Sequence, residues 1–129
     1  MRTVLAIAAA GEIATGVILL VYPPVAVRLL FGAEIVGVGI AVSRIAGMGL
    51  LALGLACWPG RDAADHRAAF RGMSTYTVLV ALYLIHVGTR RPDTGILLWP
   101  AVAAHLALAV LLAWTRRTSP SPVRSEGER

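Results

Sequence analysis

Long apolar runs alternate with short polar segments along this chain. Four runs hold at most one charged residue each and are long enough to cross a bilayer; they cover residues 3–22, 35–58, 72–88 and 96–114. About 20 apolar residues in a helix span a typical hydrocarbon core, and about 17 is near the lower limit. The pattern therefore predicts an all-α fold, a four-transmembrane-helix antiparallel bundle with both termini on the same side.

The segments between the runs are short, so we expect consecutive helices to be antiparallel neighbours. In the first connection Pro23 and Pro24 stop one helix, Pro24 can sit in the first turn of another, and Gly32 can end it. This pattern favours one turn of interfacial helix, with Arg28 among the lipid headgroups, over a re-entrant loop. The other two connections are interpreted as charged loops, over residues 59–71 and 89–95.

The composition supports a membrane protein. Hydrophobic residues make up 57% of the chain and charged residues 15%, with a mean hydropathy of +0.74, whereas about a quarter of the residues of a soluble protein are charged. At 129 residues the chain has room for one bundle and a short tail, without a separate catalytic domain. We assign residues 1–115 to the transmembrane domain and residues 116–129, rich in Ser, Pro and charge, to a disordered cytoplasmic tail.

The arginines predict how the bundle is oriented. All 12 basic residues are arginines, a bias typical of GC-rich bacteria. Eight of them fall on the side of the two termini, and three, Arg28, Arg90 and Arg91, on the other side. The positive-inside rule then predicts a multi-pass protein of the bacterial inner (plasma) membrane with cytoplasmic N- and C-termini. Because the basic residues form no stripe with aromatic residues, we expect no nucleic-acid binding.

Three ionisable side chains interrupt the apolar runs at similar positions. Glu12 lies midway along the first run, Arg44 near the middle of the second, and His105 at the centre of the fourth. With a rise of about 1.5 Å per residue, these positions predict one layer about 5 Å thick. Each group would cost a few kcal/mol at the bilayer centre if it faced lipid. We therefore expect all three to face inward and to pair.

Helical spacing indicates which partner Arg44 has. Gly37, Gly47 and Gly54 lie on the same stripe of the second helix as Arg44, at intervals of seven, three and seven. Glycine stripes mark the places where membrane helices approach most closely. Because Glu12 is the only acid at a matching depth, the sequence predicts a buried Glu12–Arg44 ion pair.

Two roles are open for this layer. A buried ion pair can fix which helices pack together and in what register, although it adds little net stability after desolvation. Alternatively, Glu12, Arg44 and His105 line a small cavity that binds a proton, an anion or a lipid headgroup. Tyr83, which lies on the third helix near the depth of Arg44, is a further candidate ligand-binding residue.

Enzyme motifs are absent from the sequence, which has no GxSxG, P-loop, HExxH or CxxC pattern. We therefore lean toward a non-enzymatic protein without a cofactor. The single Cys57 cannot form an internal disulfide. His86 and His105 lie at different depths and have no third ligand, so the sequence predicts no metal centre.

The overall layout resembles a known group of proteins. The first connection contains "LLFG", the second helix "SRIAGMGLLALGLACW" and the last helix "LLWPAVAAHLALAVLL". Over roughly residues 3–114, this pattern resembles the broad group of small DoxX-like four-helix bacterial membrane proteins, and the resemblance implies a four-helix bundle. "GEIATG", which contains Glu12, is similar to the first-helix motif of the small multidrug resistance transporters, but the signatures of their second and third helices are absent.

These observations predict a small integral membrane protein that acts as an accessory or scaffold protein, or that binds a small or lipidic ligand at the polar layer. Its expected partners are the lipid bilayer, a lipidic or small anionic ligand, and a second copy or another membrane protein. The alternative is a proton-coupled small-molecule transporter that works as a dimer. The transporter would need an aqueous path to Glu12, whereas a scaffold would be sealed.

Overall fold

A computed structural model describes residues 2–59, 63–91 and 93–117, with the backbone alone at residues 63–66, and all regular structure in these ranges is helical. The helices are α1 Arg2–Val21, α2 Pro23–Phe31, α3 Val38–Ala56, α4 Ala63–Arg90 and α5 Leu98–Arg117. α1, α3, α5 and the Arg67–Arg90 part of α4 are each long and apolar enough to cross a membrane. The predicted all-α fold with four spans is confirmed. Residues 118–129 of the predicted tail lie outside the described residues.

α4 is longer than the sequence predicted, because it begins inside the connection interpreted as a charged loop. The helix starts at Ala63 and has 28 residues. Residues 63–69 contain four alanines, and alanine has the highest helix propensity. Phe70 and Met73 are buried in the core, so packing supports the same extension. The prediction of a loop over the whole of residues 59–71 is therefore wrong.

α2 confirms the helix predicted in the first connection and extends it from one turn to 9 residues. Pro23 and Pro24 occupy its first turn, where a missing N–H costs no hydrogen bond. Gly32 ends the helix in the left-handed conformation with a φ of 68°, and a side chain there would meet the backbone of the α4–α5 connection. The Leu97 N–H donates to the Leu29 carbonyl oxygen at 2.8 Å. α2 is thereby tied to the start of α5.

α1 and α3 form the most closely packed pair of helices. A Cβ added to Gly16 would lie 2.7 Å from the carbonyl oxygen of Gly47, and one added to Gly54 would lie 2.8 Å from that of Ala9. No side chain fits at these positions, as expected where membrane helices approach most closely. The glycine stripe predicted on α3 is confirmed at Gly47 and Gly54, whereas Gly37 lies outside the helix as its N-terminal cap.

α4 and α5 form a second pair, and α1 packs on both of them. Near the end of the bundle that carries α2, a side chain at Gly88 would meet Leu98 and Trp99. Consecutive helices were expected to be neighbours throughout, but among the described residues α3 does not pack along α4. The glycine face of α3 is already occupied by α1, and α3 contacts the start of α4 close to their connection, where the Cys57 thiol donates to the Ala69 carbonyl oxygen at 3.5 Å.

The core lies where α1, α4 and α5 converge. It has two clusters of buried side chains: Leu5, Met73 and Leu112 belong to the first, and Leu84, Leu98 and Val102 belong to the second, nearer to α2. Many large apolar side chains elsewhere are exposed on the outer surface, among them Ile45, Leu79 and Val110. Such extensive apolar exposure suits a surface that faces lipid.

Candidate functional site

Glu12 lies inside the bundle, as the sequence predicted. It is 5% exposed, and it is the only buried acidic residue in the part of the chain that the structure describes. Ala8 and Gly16, at steps of four residues on either side, are buried on the same face of α1. The carboxyl group is directed toward α5, where it meets a histidine. Glu12 therefore lies at the contact between the two helix pairs.

His105 on α5 is the basic partner of Glu12. Its Nδ1 lies 2.8 Å from the Ala101 carbonyl oxygen, one turn earlier on the same helix. Because a carbonyl oxygen only accepts hydrogen bonds, Nδ1 carries a proton and donates it to this bond. Nε2 then faces Oε1 of Glu12 at 3.9 Å. The backbone bond thus fixes which ring nitrogen is available to the carboxyl group.

Tyr76 on α4 completes this site, although the sequence did not make it a candidate site residue. Its hydroxyl interacts with the Glu12 carboxyl group, and its ring centre lies 6.4 Å from that of His105 at a tilt of 55°. Spacings of seven and three residues put Tyr76 on one helix face with Tyr83 and His86, a stripe that favoured packing over a site. In α4, Tyr76 lies well inside the span. We call Glu12, Tyr76 and His105 the polar centre.

Arg44 does not belong to the polar centre, and the predicted Glu12–Arg44 ion pair is wrong. The side chain of Arg44 is exposed, and within the described residues it forms no ion pair. Gly47 faces α1. Arg44 lies three residues earlier on α3, so its side chain points about 60° away from the direction of α1. This rotation takes Arg44 off the packed stripe and onto the outer surface of α3.

Arg44 also lies at a different depth from Glu12. The contact between Gly16 and Gly47 fixes an antiparallel register of α1 and α3. In this register Arg44 lies close to the level of Val21, the last residue of α1, and more than about 10 Å along the bundle from Glu12. The predicted single layer therefore holds for Glu12 and His105 and is wrong for Arg44. Close to the end of α1, a long basic side chain can extend toward the headgroups.

α4 also carries hydroxyl groups next to Tyr76 that have no partner among the described residues. The hydroxyl oxygens of Ser74 and Thr77 are buried without a hydrogen bond, and Thr77 is 0% exposed. Leaving a buried polar group unpaired costs about 1–3 kcal/mol. Around Tyr76, α4 therefore offers more hydrogen-bonding capacity than the described residues use.

Tyr83, the remaining candidate, lies outside the polar centre. It is 61% exposed and faces outward from α4. There it lines a groove of about 520 Å³ together with His86, Arg90 and Arg91. The structure therefore brings together two of the four predicted site residues, Glu12 and His105, and places Arg44 and Tyr83 at two other positions on the surface.

Comparisons with known proteins add no assignment: no family model, no curated protein and no solved structure matches the chain. The resemblance to the DoxX-like group stays a prediction. Among the described residues, no three His, Cys, Asp or Glu side chains are grouped so that they could hold a metal ion. The chain is a four-span helical membrane protein with a buried polar centre between its two helix pairs.

Proposed function

We propose that this protein is a non-enzymatic membrane scaffold or accessory protein, in which the facing Glu12 and His105 side chains, with one dissociable proton on the pair, join the α1–α3 pair to the α4–α5 pair. The observation that supports this proposal is the geometry of His105. Its Nδ1–H donates to the Ala101 carbonyl oxygen at 2.8 Å, and Nε2 faces the Glu12 carboxyl group at 3.9 Å inside the bundle.

With one dissociable proton on the Glu12–His105 pair, the pair has no net charge, which is the favourable state inside a membrane. With this proton carried either by Oε1 or by Nε2, the pair is a carboxylic acid beside a neutral imidazole or a carboxylate beside an imidazolium. Both forms have zero net charge. Removing the proton would leave an isolated carboxylate, and adding another would leave an isolated imidazolium, and either isolated charge is costly away from water.

The surroundings of Glu12 favour a structural role over transport. Within the described residues, the titratable groups that interact with it are His105 from α5, Tyr76 from α4 and Cys57 at the end of α3. Large apolar side chains, Met73 and Leu112, are fully buried in the cluster on one side of this centre. A proton-coupled transporter would need water to reach Glu12 through such packing.

Thiol labelling tests the proposal by asking whether water reaches either side of the polar centre. In a Cys57→Ala background, Ala8→Cys places a thiol one turn from Glu12 on α1, and Val102→Cys places one about one turn from His105 on α5. Both positions are buried, and Glu12 and His105 are retained. The matched control is Glu34→Cys in the exposed connection before α3.

We expect a water-soluble maleimide to label Glu34→Cys rapidly in vesicles and to leave the other two variants unlabelled until the protein is unfolded in detergent. Labelling of Ala8→Cys or Val102→Cys in the folded protein would reveal an aqueous path to the pair. That result would contradict the sealed scaffold and favour the proton-coupled transporter.

A further inference from the structure

A groove at the α2 end of the bundle has the features of a binding site distinct from the polar centre. It has a volume of about 520 Å³ and lies between α2 and α4. One side is apolar, formed by Val27 and Phe31 of α2 and by Val87 of α4. The polar side chains that line it are Tyr83, His86, Arg90 and Arg91.

The two arginines of this groove have no counter-charge in the described protein. Arg90 and Arg91 are both exposed, and neither forms an ion pair with a described residue. They lie on the side of the membrane that carries fewer arginines, so the positive-inside rule does not account for them. An adjacent pair of arginines at the end of a membrane helix is well suited to bind phosphate oxygens.

The groove extends from the level of the headgroups into the span. Tyr83 lies seven residues before Arg90 on α4, a distance of roughly 10 Å along the helix axis. Arg90 is the last residue of the span, whereas Tyr83 lies within it and is exposed on its outer surface. A ligand that fits along this length has an anionic end and an apolar end.

We infer that this groove binds an anionic phospholipid. The phosphate group contacts Arg90 and Arg91, His86 donates to a headgroup or ester oxygen, and the first part of an acyl chain lies along Tyr83 and Phe31. A membrane lipid fits this groove because the apolar side begins at the two arginines and leads to the lipid-facing surface of the bundle, where an acyl chain would lie. A free phosphate ion would contact the arginines but would make no contact with the apolar side of the groove.

Lipid binding by the purified full-length protein in a neutral detergent tests this inference. Phosphatidylglycerol, phosphatidylcholine and inorganic phosphate are titrated separately, with binding followed by native mass spectrometry and by thermal unfolding. We expect one phosphatidylglycerol to bind tighter than phosphatidylcholine, and inorganic phosphate to give no comparable stabilisation. Equal stabilisation by inorganic phosphate would overturn the lipid assignment in favour of a free anion.

Two variants localise the site. Arg90→Gln with Arg91→Gln is expected to weaken phosphatidylglycerol binding by about tenfold or more, since each basic residue near a membrane surface contributes to anionic lipid binding. Val27→Trp retains every charge but fills the groove, and should weaken phosphatidylglycerol and phosphatidylcholine binding alike.

The matched control is Arg116→Gln with Arg117→Gln, an adjacent pair at the opposite end of the bundle that lines a groove of about 530 Å³. We expect this control to retain the tightest phosphatidylglycerol site. An equal loss in both arginine variants would show that lipid is attracted to any basic helix end, and unchanged binding in Val27→Trp would show that the groove is not used. Either result overturns the inference.

Discussion

The two faces of α1 are packed by different physical means. Against α3, glycines bring the two backbones together, and the contact depends on shape, because a Cβ at Gly16 would lie 2.7 Å from a carbonyl oxygen. Against α4 and α5, α1 presents the buried Glu12 to Tyr76 and His105, so polar side chains meet there in place of glycines. The first contact leaves no room for an added side chain, whereas in the second we expect the loss of one polar partner to be costly.

Disrupting the shape-dependent contact should have the largest effect. Gly47→Leu places a branched side chain where the backbone of α1 already lies, and no rotamer avoids it. We expect the protein to lose about 3 kcal/mol of stability or more, and to be recovered mainly as aggregate. Thermal unfolding in detergent and the fraction of monodisperse protein after purification measure this loss.

The control for this variant lies on the same helix. A Cβ at Gly49 meets no atom within 4 Å, so Gly49→Leu adds the same side chain on an open face of α3. We expect Gly49→Leu to fold like the wild type. If both variants lost the same stability, the damage would come from removing glycine as such and not from the α1–α3 contact.

The polar contact should show coupling between its two main residues. Glu12→Leu and His105→Leu each leave the other group inside the bundle without its partner, at a cost of about 1–3 kcal/mol for the buried Glu12 and less for the partly buried His105. In the double variant no group is left unpaired, so the loss should be smaller than the sum of the two single losses by about 1 kcal/mol or more. Thermal unfolding of the four proteins in detergent measures the coupling.

The exposed His86 supplies the control for this cycle. Combining Glu12→Leu with His86→Leu should give additive losses, because the two side chains do not meet. Additive losses in the Glu12–His105 cycle itself would contradict the pairing of the two side chains and would leave His105 as a residue that bonds only to its own helix.

Tyr76 should make a smaller contribution to the same contact. Tyr76→Phe keeps the ring beside His105 and removes only the hydroxyl that interacts with Glu12, so we expect a loss of about 1 kcal/mol. Tyr83→Phe removes the same group from an exposed tyrosine on the same helix and should leave the unfolding temperature unchanged. An equal shift in both variants would mean that the polar centre does not extend to α4.

Sequence reasoning succeeded where one helix alone carries the signal. The four spans, the inward position of Glu12 and the close packing at Gly47 all follow from run lengths and helical spacing. It failed where the relative shift of two helices matters, because an apolar run does not show where along its partner a helix docks. The depth of Arg44 was inferred from its position near the middle of its own apolar run. The start of α4 was placed after the charged residues of 59–71, although the alanines in that segment continue the helix.

The smallest effect is expected from substitution of Arg44, the residue that the sequence predicted to pair with Glu12. In the observed register it lies near the end of α1, on the outer surface of α3, without an ion pair among the described residues. Arg44→Leu removes an exposed charge and should change stability by no more than about 0.5 kcal/mol, both alone and combined with Glu12→Leu. Thermal unfolding in detergent and in lipid nanodiscs provides the measurement. A loss as large as that of His105→Leu, or recovery of stability in the Glu12→Leu double variant, would restore the ion pair and require α3 to be shifted and turned on α1.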